Sequence, residues 1–124
     1  MMKRYKPAHM TDNMEECLGR LLRVTEAVNQ LFGQHQGSMA QSRGRPGSVN
    51  TATARVAAYD IENLDEHCPL PMEKHAMWAI ADLHRTLERM VEEHPDGEEV
   101  PFEDIQGIQI DLRVFTDEFI RNLV

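Results

Sequence analysis

Four stretches of this chain repeat their apolar residues at the beat of an α-helix, and that periodicity constrains the fold more than any other feature. Between about Asp12 and Phe32 the positions Met14, Cys17, Leu18, Leu21, Val24, Val28, Leu31 and Phe32 recur at steps of three and four, with Leu22 beside them. Side chains so spaced share one helix face. Asp12 followed by Glu15 has the spacing of a capping box, and Gly33 stands where a left-handed cap belongs.

A second helix is expected from a Ser48 cap to about His67. Its stripe is narrow and rich in small residues: Ala54, Ala57, Ile61, Leu64 and Cys68, with Val49, Val56 and Tyr59 alongside. Pro69 and Pro71 end it, since proline has no N–H to donate and restricts the residue before it. The third runs from about Pro71 or Met72 to His94, with Ala76, Ile80, Leu83, Leu87 and Met90 in the stripe and Met77 and Val91 widening it. On its opposite face Asp82 can pair with Arg85, Arg85 with Glu88, and Arg89 with Glu93.

The last stretch reads two ways. Ile105, Ile108, Leu112, Phe115, Phe119 and Leu123 fit one helix face, but residues 108–114 also alternate as a half-buried strand would. A strand needs a partner and no other segment offers one, so a helix from Phe102 is expected, with Pro101 at its start. Between Gly33 and Gly47 the composition turns to Gln, Gly, Ser and Arg. Three internal glycines and Pro46 disfavour helix there, so a long loop is expected over residues 33–48.

The expected fold is therefore all-α: a four-helix up-down bundle with a long loop between helices 1 and 2. At 124 residues there is room for one domain. Residues 12–124 should form it, with residues 1–11 a disordered or extended basic arm. Bundles this small with broad apolar stripes often complete their cores by pairing, so a homodimer is expected. Hydrophobic residues at 41% and charged residues at 27% suit a soluble globular chain. No apolar run approaches the ~20 residues that span a bilayer. The basic N-terminus has no apolar stretch behind it, and Cys17 and Cys68 are the only cysteines. A cytoplasmic protein with reduced thiols is the expectation.

The net charge of −8 is unevenly spread. Residues 1–55 hold eight basic and four acidic side chains, whereas residues 56–124 hold five and seventeen. Such a dipolar layout steers partners or promotes head-to-tail association over short range, while the overall acidity is unlike that of a dedicated DNA binder.

One short motif carries a mechanism. Arg43-Gly44-Arg45-Pro46 resembles the core of the AT-hook, and its Arg-Gly-Arg part is similar to the minor-groove-reading loops of nucleoid-associated proteins. The likeness covers four residues, flanked here by Gln41-Ser42 and Gly47-Ser48 rather than by further bases. It implies two arginines lying flat in a narrow A·T-rich groove. Lys3, Arg4 and Lys6, with Tyr5 between them, could add phosphate contacts.

Other constellations read as structural. His67, Cys68, Glu73 and His75 lack the two short-spaced pairs of a zinc site, so no metal is expected. Asp60, Glu62, Asp65 and Glu66 read as a solvated helix face. His84 lies at the edge of the third stripe, as a packed or pH-sensitive interface residue would. Trp78 beside Met77 has the position of an interface anchor or of a lid on the core. No phosphate loop, nucleophile elbow or metallohydrolase motif occurs, so neither catalysis nor a cofactor is expected. The leading expectation is a non-enzymatic interaction or regulatory protein using Met77, Trp78 and His84. The alternative is a DNA-associated regulator using the Arg43–Pro46 segment. A third is an acidic decoy of a nucleic-acid-binding site.

Overall fold

The computed structural model describes residues 12–42, 46–67 and 72–123. It is an all-α bundle of four helices: α1 (Asp12–Ser42), α2 (Thr51–His67), α3 (Lys74–Glu93) and α4 (Phe102–Leu123). The expected stripes form its interior. Leu21, Val24, Val28 and Leu31 of α1 meet Ala54, Ala57, Ile61 and Leu64 of α2; α3 adds Ala76, Ile80, Leu83, Leu87 and Met90. Each buried Leu or Ile contributes about 1.5–3 kcal/mol relative to leaving it in water.

In α4 the choice between helix and strand is decided by burial. Ile105, Ile108, Leu112, Phe115 and Phe119 are buried at helical spacing, whereas Ile110, which an alternating strand would bury with its neighbours, is exposed. Glu103 and Asp104 in the first turn and Arg121 in the last complement the helix dipole.

Cross-links show the direction of each neighbour. Arg20 and Arg23 near the start of α1 reach Asp60 late in α2, and Gln34 near the end of α1 reaches Thr53 early in α2. Arg89 near the end of α3 reaches Asp104 at the start of α4. Both pairs are antiparallel. Helices adjacent in sequence pack closely, and α1 with α4 closes the ring most loosely.

Three boundaries differ from expectation. The first helix does not stop at Gly33 but continues to Ser42. Each glycine inside a helix costs about 1 kcal/mol relative to alanine. Tertiary contacts offset this. His35 is fully buried, with Nε2 2.6 Å from the Val100 carbonyl oxygen. Gln34 Oε1 accepts from the Asn50 amide at 2.8 Å, and Ser38 Oγ accepts from the Ser48 amide at 2.9 Å.

The cap of α2 is Asn50 rather than Ser48; its Oδ1 accepts from the Ala52 amide at 2.9 Å. Helix α3 begins at Lys74, not at Met72.

The two connections at that end of the bundle are tied together. Val49 donates to the Gly97 carbonyl at 2.8 Å and Val100 donates to the Gly47 carbonyl at 2.9 Å. Gly97 has φ +73°, and a Cβ there would lie 2.0 Å from the Val49 carbonyl oxygen. Only glycine fits such a turn.

Candidate functional site

The strongest concentration of chemistry lies on the seam between α3 and α4. On α3, His75, Trp78, Asp82 and Arg85 follow one another at helical spacing on a flank beside the buried stripe. On α4, Asp104, Asp111 and Glu118 recur every seven residues, so all three return to the side facing α3. Asp104 accepts from Arg89 Nη2 at 3.0 Å. Glu118 is buried and accepts from Arg121 Nη1 at 2.6 Å and from Asn122 Nδ2 at 3.2 Å. The middle member differs: Asp111 Oδ2 is buried with no amide, hydroxyl or guanidinium donor among the described residues, and its carboxyl meets that of Asp82 instead.

What faces Asp111 is a second carboxyl. Burial above all, then the hydrogen bond with Asp82 and the like charge of Asp82, together push the Asp111 pKa up to about 7, while Arg85 pulls the other way. Arg85 Nη2 lies 3.3 Å from Asp82 Oδ1, so the one cation at hand is engaged by the outer acid. Asp111 therefore keeps its proton toward neutral pH and directs it at Asp82.

The pair sits in an open groove of about 620 Å³ lined by His75, Trp78, Ala81, Asp82, Arg85, Asp111 and Val114. Trp78 is 74% exposed, an unusual position for the largest apolar side chain. It is no lid on the monomer core. The groove thus combines an aromatic face, an aliphatic wall and a carboxyl pair with spare acceptor capacity. That set suits a cationic group, which an aromatic ring attracts by about 0.5–2 kcal/mol and a carboxylate can bind directly.

The other residues singled out in the sequence are scattered. Met77 and His84 lie seven apart on the other flank of α3; Met77 packs against the core and His84 Nε2 lies 3.6 Å from Glu88 Oε2. They do not join Trp78 in one patch. Lys3, Arg4, Lys6, Arg43, Gly44, Arg45 and Cys68 lie outside the described residues, while Pro46 is exposed.

Asp60, expected on a solvated face, is instead buried and accepts from Arg20 Nη1 at 3.2 Å and Arg23 Nε at 3.3 Å. Arg89 pairs across to Asp104, where Glu93 had been expected as its partner. Among the described residues no three His, Cys, Asp or Glu side chains converge as metal ligands, and no helix is long and apolar enough to cross a membrane.

Sequence reading missed Asp111 because its flank position looks polar and ordinary. The seven-residue recurrence of Asp104, Asp111 and Glu118 was the available signal. Compared with family models, with curated proteins and with solved structures, the chain matches none.

Proposed function

We propose that this chain is a small cytoplasmic, non-enzymatic interaction protein that works as a homodimer. In this reading it recognises a basic side chain of another protein in the α3–α4 groove. The observation that carries the reading is the exposed indole of Trp78 beside an Asp111 carboxyl that meets Asp82 and has no cation of its own. An incoming lysine or arginine would stack on Trp78 and donate to the Asp111 carboxylate, taking the place of the proton held between Asp111 and Asp82. The negative charge of residues 56–124 favours encounter with basic partners. The acidic-decoy reading draws less support, because Arg89 and Arg121 already neutralise Asp104 and Glu118 on the same face.

Trp78 is the only tryptophan, so its fluorescence reports on the groove. Short helical peptides differing only in a central Lys, norleucine or Glu serve as probes. The lysine peptide should shift the emission saturably, and Asp111→Asn should weaken it about tenfold or more, as expected for a lost charge-assisted bond. Equal response to all three peptides, or none, overturns the reading. A salt-sensitive gel shift on A·T-rich duplex, abolished by Arg43→Ala with Arg45→Ala, would replace it with the minor-groove alternative.

A further inference from the structure

We infer that a second copy of this chain docks on the outward face of α4 beside the α1–α4 seam, in an antiparallel two-fold contact. This inference rests on the dimer reading above and assigns it a surface.

The seam between α1 and α4 is the most loosely closed of the bundle. A groove of about 630 Å³ opens along it, lined by Thr25, Val28 and Asn29 of α1 and by Gln109, Arg113 and Asp117 of α4. Three large apolar side chains stand exposed around this groove. Ile110 is 55% exposed and Ile120 52%; Leu22, one turn before Thr25, is 62% exposed. Exposed aliphatics concentrated in one region, unlike scattered ones, mark a surface that something covers.

The order of residues on α4 indicates what covers it. Ile110, Arg113, Asp117 and Ile120 are all exposed and recur at steps of three, four and three, so they form a single stripe. That stripe is palindromic about position 115. Laid antiparallel on its own copy with the axis at that level, it sets Ile110 against the partner's Ile120 and Arg113 against the partner's Asp117. Each contact is then made twice, as an isologous interface requires. Arg113 and Asp117 have no ion-pair partner within the chain among the described residues, so both are available. The charge argument points the same way. Two chains of net charge −8 repel each other, and this stripe carries one cation and one anion, allowing close approach without like-charge opposition. About three turns of helix, with Leu22 alongside, make a modest interface, so the dissociation constant should be on the order of micromolar.

Sedimentation equilibrium of the full chain across a concentration series provides the test. Circular dichroism confirms that each variant keeps its helices. Wild type should pass from monomer to dimer in that range. Arg113→Asp, which sets acid against acid twice, should raise the dissociation constant at least about tenfold, and Asp117→Arg should do the same. The double variant Arg113→Asp with Asp117→Arg should restore association to within about threefold, because the exchanged charges are again complementary. A chain that stays monomeric at all concentrations overturns both the dimer reading and its surface. A dimer that survives both single reversals, and Ile110→Glu as well, keeps the dimer reading and refutes the α4 face.

Discussion

Replacing Asp111 by asparagine should stabilise the fold at neutral pH while weakening the groove's hold on a cation. The native protein keeps the Asp111 proton up to about pH 7, against an ordinary value of 3.8. At 1.36 kcal/mol per pK unit this corresponds to about 4 kcal/mol. That figure is a ceiling. The groove is open to water and Arg85 lies close by. Solvent screening brings the expected effect to about 1–2 kcal/mol.

The sign follows from proton binding. Between pH 3.8 and 7 the folded chain holds a proton that the unfolded chain has released. Stability therefore falls as pH rises through this window, and the deficit is full above it. Asparagine does not titrate, and its NH₂ can give Asp82 the hydrogen bond that the protonated acid gives. Urea unfolding of wild type and Asp111→Asn, followed by circular dichroism at pH 4 and pH 8, isolates the contribution because the histidines cancel in the difference. The variant should be about 1–2 kcal/mol more stable than wild type at pH 8 and nearly equal to it at pH 4. A gap that is the same at both pH values, or a variant less stable at pH 8, would refute the shared-proton account.

Other substitutions test the frame that holds this groove. Asp60→Ala removes the acceptor of Arg20 and Arg23. It should cost about 2 kcal/mol in urea unfolding, below the figure for a fully buried pair because Arg23 reaches solvent. His35→Ala deletes the bond to the Val100 carbonyl and leaves a cavity. A loss of about 3 kcal/mol is expected, with the Val49 and Val100 amides losing hydrogen-exchange protection first. Two alanine substitutions should differ in sign. A Cβ at Gly47 would lie 2.5 Å from the His35 carbonyl oxygen, whereas one at Gly33 would meet no side chain or neighbouring helix within 4 Å among the described residues. Thermal melts should show Gly47→Ala destabilised and Gly33→Ala stabilised by up to about 1 kcal/mol.

The bundle was legible because burial in a helix leaves a periodic trace. Every stripe residue of α3 and nearly all of those in α4 occupy the core that the spacing implied. The end of α1 was not legible for an equally physical reason. Gln34, His35 and Ser38 make poor local helix signals, and what holds them helical is bonding to Asn50, Val100 and Ser48. Propensity acts on neighbours in sequence; these bonds span 10 to 65 residues. Tertiary contact overrode the glycines.

Asp60 and Asp111 show the same limit at the level of the site. Both are aspartates beside a buried stripe, and a periodicity argument assigns both to a polar margin. Across α1, Asp60 meets Arg20 and Arg23 and becomes a structural tie. Across α3, Asp111 meets Asp82, with Arg85 turned to the outer acid, and remains a carboxyl with no cation of its own next to an exposed indole. Identity and helical phase are alike; the partner helix makes the difference. A chain selected for stability alone would pair Asp111 with a cation, as it pairs Asp104 with Arg89 from α3 and Glu118 with Arg121 within α4. With Arg85 held by Asp82, the middle position of that series has no cation of its own, which weakens the fold as Asp111 ionises; under the proposed reading that position is left for a positive charge from outside.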